Sequence, residues 1–213
     1  MRIPRFYDNL SPYLRPNKVL AIFGSRQAGK TTLLKEYLSK NPEKFKYKLD
    51  SGDNIRVQEV LGSNDFQKIL EYAKGYDLVV IDEAQRIGNI GQGLKILVDQ
   101  IPNLKIIATG SSSFELAGQI GEPLTGRKIT LTLFPVSQIE LGQLFNDYEL
   151  KNNLEDYLVF GSYPEVVASQ SQQEKKRILE ELINSYLLKD ILELERVKSS
   201  KLLLDLLRLL AFQ

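Results

Sequence analysis

The sequence predicts an α/β protein in which helices cover both faces of a parallel β-sheet, followed by a smaller helical part. Three observations lead to this fold class. Short apolar runs alternate with stretches of helical periodicity up to residue 133, as in chains built from strand–helix–strand units. These runs are largely apolar along their length, which is typical of strands buried on both faces. After Pro135 the strand signals cease, and helical spacing dominates from about Asn153 onward.

The predicted elements follow one another in a regular order. Strands are predicted at residues 18–23, 45–49, 78–81, 104–108 and 128–133. Helices are predicted between them at residues 30–40, 54–61, 66–74 and 93–101. Asn41-Pro42 closes the first helix and Pro102 stops the last, because proline cannot continue a helix.

A domain boundary is predicted between residues 147 and 153, where the strand pattern has ended. It divides the chain into an α/β body, residues 1–150, and a helical lid with the start of a C-terminal extension, residues 151–213. Within the lid, residues 174–197 form a long amphipathic stretch.

The composition narrows the chemistry that the protein can perform. The 213 residues include no Cys and no His, so thiol chemistry, thiolate metal sites and histidine bases are all excluded. Any metal should be a hard cation held by oxygen.

The 28 Lys and Arg residues balance 27 Asp and Glu residues, which does not indicate nucleic-acid binding, although it does not exclude it. Without a leader or an apolar run of membrane-spanning length, a cytoplasmic protein is expected.

A phosphate-binding loop is predicted between the first strand and the first helix. Residues 24–31 match the pattern G-x-x-x-x-G-K-[ST], with Gly24, Ser25, Arg26, Gln27, Ala28, Gly29, Lys30 and Thr31. Thr32 follows directly and is also a candidate nucleotide-binding residue. Backbone N–H groups of such a loop form an anion nest at the positive end of the following helix. Lys30, expected to be an exposed loop cation, would contact the β- and γ-phosphates, and the Thr31 hydroxyl would bind Mg²⁺.

Two adjacent carboxylates end the predicted strand at residues 78–81. Ending a buried strand in Asp82 and Glu83 is costly unless a cation or cationic ligand lies there. Beside a phosphate loop, Asp82 is predicted to help hold Mg²⁺. Glu83 is then placed to act as the general base towards water, because the chain has no histidine for that role.

The chain resembles the AAA+ ATPases, and more narrowly the bacterial and archaeal AAA-domain proteins that carry an uncharacterised domain after the ATPase. The resemblance rests on the stretches "GSRQAGKTTLL", "LVVIDEAQ", "LKIIATGSSS", "LTGRKITLTLFPVS", "FGSYPEVV" and "SYLLKDILE". It implies a five-stranded parallel sheet of order 5-1-4-3-2 followed by a small helical lid. It further implies that ATP or ADP and Mg²⁺ are the cofactors.

The resemblance also implies roles for later residues. A polar group after the fourth strand would sense the γ-phosphate, and Thr109 and Ser111 are both candidates, the alternative being a flexible turn before the next helix. Arg127 would stabilise charge on a transferring phosphoryl group, in its own chain or a neighbouring one, or is simply a surface arginine at a strand start. Pro164 would pack near the nucleotide from the lid. No lid arginine sensor is evident; Arg177 and Arg196 match weakly.

Two functions share this predicted site. The first is an ATPase that hydrolyses ATP with Mg²⁺ to drive movement of the lid or of a partner. The second is a slow nucleotide-dependent switch or scaffold acting on a protein or nucleic-acid partner. A two-lobed helicase, suggested by the letters "DEAQ", is rejected because the helical remainder is too small for a second α/β lobe. The guanine-reading Asn-Lys-x-Asp pattern is absent from the sequence, which favours adenine.

The last predicted helix, residues 201–212, is rich in leucine. Seven of the nine residues from Leu202 to Leu210 are leucine, and Lys201, Asp205 and Arg208 form one narrow polar stripe. This pattern predicts a helix buried on most sides. It would pack into its own lid or dock on another chain or a further domain.

Overall fold

The computed structural model describes residues 2–41, 43–110, 123–184 and 200–212. Two compact units make up the chain, the first from Arg2 to Asn146 and the second beginning at Asp147. In the described part of the chain, no helix has both the length and the apolar character needed to cross a membrane.

A five-stranded parallel sheet forms the centre of the first unit. The strands are β1 (Val19–Phe23), β2 (Tyr47–Ser51), β3 (Leu78–Asp82), β4 (Lys105–Gly110) and β5 (Lys128–Thr132). Their order is β2-β3-β4-β1-β5, and every neighbouring pair is parallel. Read from the other edge, this is the order 5-1-4-3-2, so the predicted sheet is confirmed.

Helices cover the sheet on both faces. They are α1 (Lys30–Lys40), α2 (Ile55–Leu61), α3 (Phe66–Ala73), α4 (Ile90–Gln100) and the short α5 (Gln138–Leu141). Single 3₁₀ turns lie at Ser11–Tyr13 and Ala84–Arg86. The bounds of α1 agree with the sequence prediction, and α2 begins after Asn54, whose side chain caps the helix by accepting from the N–H of Arg56.

Two hydrophobic cores lie on opposite faces of the sheet because successive strand residues point to opposite sides. In β1, Val19, Ala21 and Phe23 join the core beneath α2, α3 and α4. Leu20 and Ile22 join the core beneath α1, which also contains Leu10 from the N-terminal segment. The sheet is therefore held rigidly from both sides, and its strand ends provide a fixed platform.

The second unit contains only helices among its described residues. They are α6 (Asp147–Asn152), α7 (Leu154–Phe160), α8 (Pro164–Ala168), α9 (Gln172–Leu182) and α10 (Ser200–Ala211). Phe160, Val166, Ile178 and Leu182 form a small core, beside which Lys175 pairs with Asp156.

The described side chains of α10 correct one prediction. Leu202, Leu206, Leu209 and Leu210 are exposed, as is Phe212, so the helix does not bury these leucines in its own lid, and docking on another chain or a further domain stays a prediction. Sequence periodicity reports how apolar a face is, but it does not report whether another element covers that face.

Candidate functional site

The carboxyl ends of three strands gather the polar residues that the sequence singles out. In the sheet register, Ile22 of β1 lies beside Thr109 of β4, and Ser51 of β2 lies beside Asp82 of β3. The loop that begins at Gly24 follows directly after β1. Because parallel strands end at a common edge, the loop, Asp82 and Thr109 meet there, which is where open α/β sheets bind ligands.

The loop between β1 and α1 has the backbone geometry of an anion nest. Gln27 and Gly29 adopt φ angles of 59° and 96°, a left-handed region that glycine adopts at no steric cost. A Cβ atom on Gly24 would lie 2.2 Å from the Leu133 carbonyl oxygen, so only glycine fits there. The loop leads directly into α1 at Lys30, and the positive end of the helix dipole adds to the attraction for an anion.

Lys30 is buried in the loop, with only 5% of its surface exposed. Its Nζ donates to the carbonyl oxygens of Gly24 and Ser25 at 2.8 and 2.9 Å. This corrects the expectation of an exposed cation: Lys30 crosses back over its own loop and holds the ammonium group close to the nest. The Ser25 Oγ atom is buried without a hydrogen-bond partner among the described residues.

Asp82 links the loop helix to the neighbouring strand. Thr31 Oγ1 donates to Asp82 Oδ2 at 2.7 Å, and Thr109 Oγ1 donates to Asp82 Oδ1. Thr109 is fully buried, and its Oγ1 also accepts from the N–H of Glu83 at 3.2 Å. The two threonine hydroxyls thereby fix both oxygens of one carboxylate at the edge of the sheet.

Glu83 starts the 3₁₀ turn that follows β3. Its φ angle is 52°, in the left-handed region that residues other than glycine rarely adopt. Its Oε2 accepts from Gln85 Nε2 at 2.5 Å. The side chain is half-buried, so the carboxylate is oriented by a neighbour while remaining accessible at the carboxyl edge.

The model of a family described as "AAA domain" matches residues 16–142, which is more than half of the chain. The chain belongs to this AAA-domain family. A second model, for a domain of unknown function, matches residues 151–213. The strand order and the phosphate loop agree with an AAA+ P-loop fold.

Two relatives of the AAA-domain chain come from distant organisms. An uncharacterized protein of Methanocaldococcus jannaschii is 28% identical over 204 residues, covering 88% of this chain and 45% of that protein. An uncharacterized protein of Haemophilus influenzae is 27% identical over 221 residues, covering 91% of this chain and 51% of its own length. The chain therefore spans about half the length of these relatives.

Solved structures are similar at a more remote level. The replication initiator DnaA bound to AMPPCP and single-stranded DNA is 16% identical with a TM-score of 0.47, covering 89% of this chain and 58% of that one. PCH-2 of C. elegans is 18% identical with a TM-score of 0.42, covering 68% and 41%. At such values the likeness carries no argument about function.

The remaining predicted residues lie at the loop, in the second unit or outside the described residues. Arg26 is half-buried, and Gln27 and Thr32 are exposed at the loop. Ser111 and Arg196 lie outside the described residues. Pro164 is the first residue of α8 in the second unit, and Arg177 is exposed on α9 of the same unit.

Arg127 lies at the opposite end of the sheet from the phosphate loop. Its carbonyl oxygen accepts from the N–H of Val19, the first residue of β1, at 2.8 Å. Since β1 has five residues, Arg127 is roughly 15 Å from the loop along the strand. Its Nε pairs with Asp99 Oδ1 at 2.6 Å. The structure does not bring Arg127 to the phosphate loop of its own chain, and a role towards a neighbouring chain stays a prediction beside the surface-arginine alternative.

Sequence reasoning missed Arg5 and Glu140, which form a buried ion pair behind the loop. Arg5 Nε and Glu140 Oε1 are 3.0 Å apart, and the side chains are 8% and 5% exposed. Burial opposes ionisation of Glu140, but the N–H groups of Ser137 and Phe6 and the Arg5 guanidinium outweigh it and lower the pKa of Glu140. The Ser-x-x-Glu spacing of residues 137–140 signals the helix cap made by Glu140; no local pattern points to Arg5.

Proposed function

We propose that this AAA domain binds ATP and hydrolyses it with Mg²⁺. The observation that carries the proposal is the sharing of one carboxylate, Asp82, between Thr31 of the loop helix and Thr109 of β4, beside the buried cation of Lys30. A phosphate nest, a cation and an oriented carboxylate together are the parts that phosphoryl transfer requires.

Thr31 and Asp82 are the residues that would hold Mg²⁺. Within the described ranges, no group of three or more His, Cys, Asp or Glu residues could hold a metal ion by itself. This fits Mg²⁺, which proteins bind through one or two carboxylates together with substrate phosphates and water. When bound, the ion would neutralise charge on the phosphates.

Each residue of the site has a role in the proposal. The loop N–H groups and Lys30 bind the phosphates, and Thr109 fixes the orientation of Asp82 and of the Glu83 backbone. Glu83, oriented by Gln85, accepts a proton from the attacking water as general base. The output is a conformational change passed to the helical unit or to a partner.

The proposal is tested by ATP binding to a Lys30→Met variant, which keeps the aliphatic stem and removes the ammonium group. We expect roughly 10- to 100-fold weaker ATP binding in titration calorimetry, because hydrogen bonds to charged groups are strong. The matched control is Lys35→Met, which removes an exposed lysine from the same helix and should leave ATP affinity unchanged. Equal ATP affinity of the parent and the Lys30→Met variant would contradict the assignment.

A further inference from the structure

Arg5 connects three separate segments behind the phosphate loop. It lies on the N-terminal segment that precedes β1, and its side chain is 8% exposed. Its Nη1 donates to the Ala28 carbonyl oxygen at 2.6 Å, its Nη2 to the Phe134 carbonyl oxygen at 2.5 Å, and its Nε to Glu140 Oε1 at 3.0 Å. A planar guanidinium can serve these three acceptors at once, which a lysine ammonium at the end of a flexible stem cannot do with the same geometry.

The bond to Ala28 determines how one peptide of the loop is oriented. None of the described peptide bonds is cis, and in a trans peptide the C=O of one residue and the N–H of the next point in opposite directions. The Ala28 carbonyl faces Arg5, so the N–H of Gly29 faces away from Arg5. Gly29 immediately precedes α1 and has a φ of 96°. Glycine can adopt many other backbone conformations, so a contact outside this residue is needed to fix the orientation of the peptide.

The bond to Phe134 anchors the other end of the loop to the same guanidinium. Phe134 follows Leu133, whose N–H donates to the Phe23 carbonyl oxygen at 2.6 Å. The Leu133 carbonyl packs so closely on Gly24 that a Cβ there would lie 2.2 Å away. Residues 133 and 134 thus connect Arg5 to the end of β1, where the loop begins. The bond to Ala28 connects Arg5 to the end of the loop, just before α1.

Arg5 itself is held in place by its surroundings. The N–H of Phe6 donates to Glu140 Oε1 at 2.7 Å, and the Ser137 N–H donates to Glu140 Oε2 at 2.8 Å. Leu10, farther along the same segment, is fully buried beneath α1. The guanidinium therefore acts from a fixed position rather than from a mobile terminus.

We propose that Arg5 is a positioning residue of the phosphate loop, which directs the Gly29 N–H into the nest by holding the Ala28 carbonyl on the opposite side. The inference rests on the proposed ATP-binding function, because it assigns Arg5 to the same site. It makes nucleotide affinity depend on a residue that does not itself touch the nucleotide.

The first test compares the ATP affinity of Arg5→Lys with that of Glu140→Gln. Both variants disturb the buried ion pair, but Glu140→Gln keeps an amide oxygen that can accept from Arg5 Nε and Phe6 N–H, so the bonds from Arg5 to Ala28 and Phe134 are expected to stay in place. We expect ATP binding at least about tenfold weaker in Arg5→Lys and within threefold of the parent in Glu140→Gln. Should Arg5→Lys fail to fold, the double variant Arg5→Met/Glu140→Met, which leaves no unpaired buried charge, is expected to show the same loss.

The second test needs no nucleotide and separates this inference from the proposed function. Amide hydrogen exchange of residues 24–31 in the nucleotide-free protein should be faster in Arg5→Lys than in Glu140→Gln. Parental ATP affinity in Arg5→Lys, or equal loop exchange in the two variants, would overturn the positioning role. If the parent fails to bind ATP, the proposed function is wrong, and the exchange comparison alone decides whether Arg5 orders the loop.

Discussion

Thr109 contacts both acidic residues of the candidate site, Asp82 and Glu83. Its hydroxyl donates to Asp82 and accepts from the N–H of Glu83, so one atom orients both the carboxylate proposed to hold Mg²⁺ and the peptide of the proposed general base. From the sequence, Thr109 and Ser111 are alternative sensors of the γ-phosphate. In the structure Thr109 contacts both Asp82 and Glu83, and sensing of the γ-phosphate by either residue stays a prediction.

Replacing Thr109 with valine tests this role, because valine keeps the shape and removes the hydroxyl. We expect ATP turnover to fall roughly tenfold or more, as a buried hydrogen bond to a charged group is lost, while ATP affinity changes less. The matched control is Thr130→Val on β5, whose side chain is exposed. Turnover of Thr109→Val at the parental rate would show that Asp82 does not need this hydroxyl.

Sequence motifs predict some residues of the candidate site, whereas others can be found only from the folded structure. The loop from Gly24 to Thr31 is contiguous in sequence, as are the two acids at the end of β3, so motif spacing predicts them. Arg5 and Glu140 are 135 residues apart, and only the folded chain brings them together. The burial of Lys30 has the same origin, because it depends on how the loop folds back on itself.

At the scale of elements, α5 carries the clearest expected pH response. Glu140 completes a capping box with Ser137 at the start of this helix, and its pKa is lowered in the fold by the N–H groups and the guanidinium that face it, which outweigh its burial. A lowered folded-state pKa means that folding favours the ionised form. The resulting stabilisation is present above the unfolded-state pKa and is lost as the pH falls through the folded-state value.

Glu140→Gln should therefore lower the free energy of unfolding at neutral pH by about 3 kcal/mol, as expected for a buried ion pair that loses one partner. The difference from the parent should shrink at acid pH, where Glu140 is protonated in both states. Denaturant titrations at several pH values measure this, with the exposed Glu59→Gln on α2 as control. A difference that is constant with pH would contradict the charged cap.

Secondary structure could be predicted better than its exact bounds. The predicted second strand, residues 45–49, lies two residues earlier than β2, which is an edge strand with exposed positions and therefore a weak hydrophobic pattern. Helix α4 begins at Ile90, before the predicted residue 93, because the buried Gly91 and Gly93 belong to the helix despite their low propensity. In both cases the position of the element in the fold, and not its local sequence pattern, set the observed bounds.

At the scale of the whole molecule, the exposed leucines of α10 predict self-association. Leu202, Leu206, Leu209 and Leu210 all face solvent in this chain, and contiguous apolar surface of this kind is usually covered in a soluble protein. We expect the mass from light scattering to rise with protein concentration. The double variant Leu206→Glu/Leu210→Glu should remain monomeric, whereas the charge-neutral control Asp205→Asn on the same helix should associate like the parent. A parent that stays monomeric at high concentration would rule this out.

We propose that the edge formed by the loop, Asp82 and Glu83 hydrolyses ATP, and the decisive measurement is phosphate release by the parent and by Glu83→Gln. Both proteins should bind ATP with Mg²⁺, because glutamine keeps the shape of the side chain. Only the parent should release phosphate, and its release should stop when Mg²⁺ is removed. ATP bound by the parent without any turnover would show that this edge does not hydrolyse ATP, and turnover of Glu83→Gln at the parental rate would show that Glu83 is not the base.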